Sequence, residues 1–276
     1  MRIFIIANLE GVGGVVCADW KQINPHEYNR IRQLQIDEIN AAVTGAIEAG
    51  ATKVIVRDFY GSMRNITHVD LYEDVELISG PLTSQIGAEF ATFAEPCDMV
   101  FLMGFHSDLS SGKGFSLAHL SEVMHIEIND RAYGEVGVLA AVAGHYSIPV
   151  GLVTGDASLI DSVHEMLPGT QTVATKIAYS SMAARCLHPH HVCQEIQSAA
   201  RTAIVKANEI PPYIIEPPIH LKATFPRTTL CDIAEWIPGV QRVDGYQISL
   251  VGVNMIETYR TIYLLSCLDA IEKNLT

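Results

Sequence analysis

Five side chains in this sequence are of the types that metal-assisted hydrolysis needs: Glu10, Asp58, His106, His119 and Glu135. Imidazoles mixed with carboxylates are the donors that suit zinc and other first-row divalent ions. Such an ion lowers the pKa of a bound water from roughly 16 to about 7 and polarises a carbonyl. A neighbouring His or carboxylate then carries protons to the leaving amine. The five lie far apart along the chain, and no local signature such as H-E-x-x-H joins them. Only the fold brings them together.

The elements that must do so are short. Arg2 to Ala7 reads as a buried strand that runs into the turn Gly11-Val12-Gly13-Gly14. Pro25 to Ala49 has helical spacing of Ile31, Leu34, Ile39, Val43 and Ala46, closed by Gly50. Lys53 to Val56, Asp98 to Met103, His125 to Ile128 and Pro149 to Thr154 read as further strands, with a helix over Gly134 to Ala143. Strands alternating with helices imply an α/β fold with a mostly parallel sheet flanked by helices. In such sheets the site lies beyond the carboxyl ends of the strands. Asn8 and Glu10, Asp58 and Tyr60, and His106 all stand at such ends.

Leu159 to Leu167 and Ser180 to Asn208 read as helical, the second interrupted at Leu187-His188-Pro189. Pro211-Pro212 and Pro217-Pro218 mark a boundary near residue 210. This divides the chain into an α/β catalytic domain, 1–210, and a smaller C-terminal α+β domain, 211–276. The latter holds strands over Ile219 to Phe225 and Tyr246 to Val253, then a closing helix over Met255 to Asn274.

Other chemistries are less well supported. The glycine turn does not complete G-x-G-x-x-G, because Val16 stands three positions after Gly13. No G-x-S-x-G elbow marks a serine nucleophile. His188, His190 and His191 crowd one proline-containing turn and read as surface residues. The net charge of -13 argues against nucleic acid, whose phosphates demand a basic face, and against an anionic membrane surface. Six scattered cysteines without a C-x-x-C pair read as reduced thiols. Met1 to Ala7 is too short for a signal peptide, and no stretch nears the ~20 apolar residues of a membrane span. The expected compartment is the cytoplasm.

Several blocks together resemble the zinc-dependent D-aminopeptidase family. They are Asn8-Leu9-Glu10-Gly11, Glu38-Ile39-Asn40-Ala41-Ala42, Asp58 to Asn65, Leu77 to Gly80, Gly104-Phe105-His106, Gly134-Glu135-Val136-Gly137 and Val153 to Asp156. They keep their order through roughly the first 180 residues. The resemblance implies a dinuclear zinc peptidase that removes N-terminal D-amino acids from short peptides. It also implies an α/β subunit with a smaller C-terminal domain, assembled as a decamer of two stacked five-membered rings.

Carried over, Glu10, His106 and Glu135 fall on metal-ligand positions and His119 falls near the catalytic histidine. Two positions depart from the pattern. Asn8 stands where the family has a bridging aspartate, and Tyr60 where it has a histidine ligand. A neutral amide does not offset the repulsion between two dications, and a phenol with a pKa near 10 is a poor ligand at neutral pH. The expectation is a metal-dependent amide hydrolase with one or two zinc ions. Its metal site is Glu10, His106, Glu135 and Asn8, and His119, Tyr60 and Asp58 serve catalysis. Two alternatives stay open: a fold repurposed for other chemistry on a small metabolite, such as acyl transfer or isomerisation, and a scaffold without catalysis.

Overall fold

The computed structural model describes residues 1–16, 24–82, 84, 86, 97–107, 114, 123, 125–181 and 183–275. His119 lies outside them. The first half runs β1 (Arg2–Ala7), α1 (Pro25–Glu48), β2 (Lys53–Asp58), β3 (Val75–Ile78), β4 (Met99–Phe105), β5 (His125–Ile128), β6 (Arg131–Ala132) and α2 (Glu135–His145). The second half runs β7 (Val150–Asp156), α3 (Ala157–Met166), β8 (Gln171–Ser180), β9 (Ala183–Cys186), α4 (Pro189–Val205), β10 (Ile219–Thr224) and α5 (Thr228–Ala234). It closes with β11 (Gln241–Arg242), β12 (Gln247–Gly252), α6 (Met255–Ser266) and α7 (Leu268–Leu275).

Seven strands form the main sheet in the order β3-β2-β1-β4-β7-β8-β9. All neighbours are parallel except β9, which returns antiparallel to β8. The fold is therefore α/β with a mostly parallel sheet, as its alternating pattern predicts. The chain builds outward from β1 to β3, then restarts at β4 on the other side of β1. Strand order reverses between β1 and β4, the switch point at which sites form in open α/β sheets. Ala7 pairs with Met103, so the residues that follow these two strands emerge side by side.

Both faces of the sheet are covered, which is why its strands are almost wholly apolar. Ile3, Ile5 and Ala7 pack with Ile36, Ile39 and Val43 of α1 and with Val192, Ile196 and Ala200 of α4. Phe4 and Ile6 point the other way, into a core shared with Val138, Leu139 and Val142 of α2 and with Leu221 and Ile248.

Leu221 and Ile248 belong to a second, antiparallel sheet ordered β11-β12-β10-β5-β6. His125 to Ile128, expected as part of the main sheet, lies here against β10. The reason is visible in its alternation: Ile126 and Ile128 are buried, while His125 and Glu127 are half-exposed. That pattern suits a strand with one wet face. The second sheet joins strands from both sides of residue 210.

Two helix expectations are corrected. Ser180 completes β8, and the residues after it turn into β9, where Cys186 pairs with Lys176. Cross-strand pairing overrides the helix propensity of Ala183-Ala184-Arg185. The closing helix is two, α6 and α7, with Cys267 capping the first. Among the described residues no helix is long and apolar enough to cross a membrane.

Candidate metal centre

The turn after β1 is wound by Asn8, whose Oδ1 accepts from the backbone N–H groups of Leu9 at 2.6 Å and Glu10 at 3.1 Å. The turn then lies directly on the end of β4. The Gly11 N–H donates to the Gly104 carbonyl at 2.7 Å. A Cβ on Gly11 would stand 1.8 Å from the Phe105 carbonyl oxygen, so no larger residue permits this approach. Gly104 answers it with φ of +67°, and a Cβ there would sit 2.3 Å from the Asn8 oxygen. These two glycines bring Glu10 beside His106.

His106 directly follows β4. Its Nδ1 lies 2.8 Å from the Ser107 carbonyl, which only accepts, so Nδ1 carries a proton and Nε2 faces inward. Glu135 is the first residue of α2, after the Gly134 cap. The positive end of the helix dipole favours a carboxylate there.

His106 Nε2 lies 3.2 Å from Glu10 Oε2 and 3.8 Å from Glu135 Oε2. Asn8 Nδ2 donates to Glu135 Oε2 at 3.3 Å. Glu10 is 2% exposed and His106 8%. Glu10 Oε2 and His106 Nε2 are sealed from solvent and make no hydrogen bond. Buried polar atoms are normally satisfied. Two ligands of a tetrahedral zinc, each bonded at about 2.0–2.2 Å, stand roughly 3.3 Å apart. The donor set therefore fits a divalent cation.

The electrostatics agree. Burial pushes the Glu10 carboxyl above its usual range, against the opposing pull of His106, Lys176 and the Asn8 bond. Burial likewise raises Glu135 to about 7; His106 and Asn8 oppose the rise, and the Glu10 charge adds to it. For His106 burial works downward, but Glu10 and Glu135 outweigh it and the imidazole is raised. Without a cation, protons neutralise this cluster.

Asp58, the last residue of β2, is taken up by its own turn. Its carboxylate accepts from the backbone of Asn65 and Ile66 and from the Asn65 amide, with a longer contact to Tyr60 N–H at 3.4 Å. These bonds build the turn after β2. Tyr60 is 7% exposed and packs with Leu9, Val12, Val15 and Ile31 under the β1 turn. His188 caps α4, and His191 pairs at 4.0 Å with an exposed Glu195; both lie at the surface. His119, outside the described residues, has no position here.

A cavity of about 250 Å³ opens beside His106 and Glu135, walled by Tyr133, Leu159, Val163 and Met166. The sequence reading missed the side chains that hold the β1 turn from behind. Gln35 Nε2 donates to the Asn8 carbonyl at 3.0 Å, and Glu38 Oε1 accepts from Gly13 N–H at 2.8 Å. Lys176 and Thr175 grip the same turn from β8. The available signal was polar residues on an otherwise buried face: Gln35 and Glu38 among the inward positions of α1.

Residues 1–264 match the family described as D-aminopeptidase, peptidase M55. A D-aminopeptidase of Bacillus subtilis is 26% identical over 273 residues, covering 96% of this chain and 97% of its own. The solved structure of the Zn-dependent D-aminopeptidase DppA from Bacillus subtilis, described as a self-compartmentalizing protease, superposes with a TM-score of 0.88 at 25% identity. That superposition covers 96% of this chain and 97% of the other. The chain belongs to the D-aminopeptidase family.

Proposed function

We propose that this enzyme hydrolyses the amide bond next to a free amino terminus in short peptides or small amides, using one zinc ion per chain held by Glu10, His106 and Glu135. The observation that carries this reading is the convergence of Glu10 Oε2, His106 Nε2 and Glu135 Oε2 in a buried cluster with two atoms unsatisfied. The zinc dependence of the DppA relative supports the choice of metal. When bound, the ion activates water for attack and polarises the scissile carbonyl.

The chain's own residues do the rest. Two carboxylates neutralise one dication, so the buried centre carries little net charge. Asn8 holds Glu135 through its amide Nδ2 while its Oδ1 fixes the Glu10 turn. It adds no negative charge, and Tyr60 adds no imidazole, which favours one ion over two. His119 serves as the proton carrier to the leaving amine. The cavity beside His106 and Glu135 receives the substrate, and its apolar wall excludes water from the side chain. Homo-oligomeric assembly, as a decamer of two five-membered rings in the cytoplasm, confines the site to a chamber that admits short peptides. The self-compartmentalizing relative supports that assembly.

Hydrolysis of D-alanyl-p-nitroanilide tests the reading. Activity that a chelator removes and zinc restores is expected. Activity that persists in excess chelator on this or another small amide favours repurposed chemistry, for which the Asn8 contact to Glu135 is the supporting observation.

A further inference from the structure

The β1 turn that carries Glu10 is wrapped around the end of one buried lysine. Lys176 is 0% exposed, and its Nζ donates to the carbonyl oxygens of Glu10, of Val15 at 2.6 Å and of Val12 at 3.3 Å. An ammonium has three donors and no acceptor. Three carbonyls of one six-residue turn match it. The neighbouring Thr175 Oγ1 adds bonds to the Gly11 oxygen at 2.5 Å and to the Gly155 oxygen at 3.1 Å. Glu38 also accepts from Gly13 N–H. Three carbonyls that face one point repel one another, and the turn has no regular ladder to hold it in that shape. A charged donor at their focus removes the repulsion and fixes the turn.

We infer that Lys176 is a positioning residue for the metal centre: its ammonium shapes the 10–15 turn so that Glu10 Oε2 stands within ligand range of His106 Nε2. This rests on the reading of Glu10 as a ligand. It differs from core packing, because an apolar side chain of equal length would fill the space and leave three buried carbonyls unsatisfied. Those carbonyls would turn toward other donors and carry Glu10 with them.

The test is Lys176→Met in the full chain, purified metal-free. Three quantities are read: zinc affinity by competition with a chromophoric chelator, the visible spectrum of the cobalt(II)-loaded protein, and amide hydrogen exchange across residues 10–15. The inference predicts zinc binding weaker by about 10- to 100-fold, an altered cobalt spectrum and faster exchange confined to that turn. Wild-type affinity with an unchanged cobalt spectrum would overturn it. If Lys176→Met does not fold, Thr175→Val decides. It keeps the side-chain volume and releases the Gly11 carbonyl, so a smaller change in the same three readouts is expected, and no change in any of them overturns the inference. Glu10→Gln in parallel separates the two claims. If that variant binds zinc as the wild type does, the ligand reading itself is wrong, whatever Lys176 does.

Discussion

His106 Nε2 and Glu10 Oε2 stand 3.2 Å apart beyond the ends of two adjacent parallel strands, both buried and neither hydrogen-bonded. An imidazole whose Nδ1 proton is committed to Ser107 offers a lone pair at Nε2, and a carboxylate offers another. Two lone pairs aimed at one point need a cation or a proton between them. Glu135 Oε2 lies farther off, at 3.8 Å from His106 Nε2. Among the described residues no group of three or more His, Cys, Asp or Glu side chains is already spaced to hold an ion; the three-ligand site is the proposal.

Removing one of these donors is expected to weaken zinc binding by at least about 100-fold, since even outer partners of metal ligands are worth 10- to 100-fold. Glu135→Gln keeps the shape of the α2 start and tests this with little disturbance of the fold. Chelator competition on the metal-free variant reads the change. Unaltered affinity would remove Glu135 from the site.

Zinc affinity should also depend on pH in a set direction. Glu135 is raised to about 7 and Glu10 is raised as well, both chiefly by burial, so protons occupy these oxygens at low pH. The metal must displace them. Affinity is expected to rise with pH through about 7 as Glu135, Glu10 and His106 give up their protons. Isothermal titration in buffers of different ionisation heat should register proton release on binding. Flat affinity from pH 5.5 to 8 contradicts this account.

Asn8→Asp combined with Tyr60→His restores the family pattern at both departures. The double variant is expected to bind two zinc ions per chain where the wild type binds one. Retention of a single ion in the double variant would mean that other features of the pocket limit the count.

The main sheet and the position of its site were legible because they depend on local pattern. Unbroken apolar strands announce a covered sheet, and polar residues just past their ends announce the crevice. Glu10 and His106 stand just past such strand ends, and Glu135 at the start of α2 faces His106. For Asp58, a carboxylate that caps a turn looks, in sequence, like one that faces a substrate. Only the bonds from Asn65 and Ile66 distinguish them. The β5 strand and the Lys176 support were hidden for another reason. Both depend on long-range partners, β10 for the strand and the β1 turn for the lysine; the alternation at 125–128 marks a strand with one wet face but does not name its partner.

Gly11→Ala tests the close approach that aligns the centre. Its Cβ would meet the Phe105 carbonyl oxygen at 1.8 Å and the Gly104 carbonyl carbon at 2.6 Å, both backbone atoms of β4. The variant is expected to lose about 3 kcal/mol or more of stability, measured by urea denaturation. A stability equal to wild type would contradict the packing of the β1 turn on β4.

Glu38 predicts a pH effect on stability away from the ligands. Burial raises its carboxyl to about 8, opposed by the Gly13 N–H bond and Lys176 and reinforced by Asp37. The folded-state value lies above the unfolded one of 4.5. The folded protein therefore holds the extra proton between these values, and this group's stabilisation, full below about 4.5, is lost as pH rises toward 8. Glu38→Gln keeps an acceptor for Gly13 N–H and does not titrate. Its unfolding free energy should fall less steeply than that of the wild type from pH 5 to 8. Parallel slopes would show that Glu38 is charged in the fold.

The central claim is that Glu10, His106 and Glu135 together hold one divalent ion. Elemental analysis of the dialysed protein after zinc loading, run beside His106→Ala, tests it most directly. The account predicts one zinc per chain in the wild type and essentially none in the variant. Two per chain in the wild type, or the same content in both proteins, would contradict it.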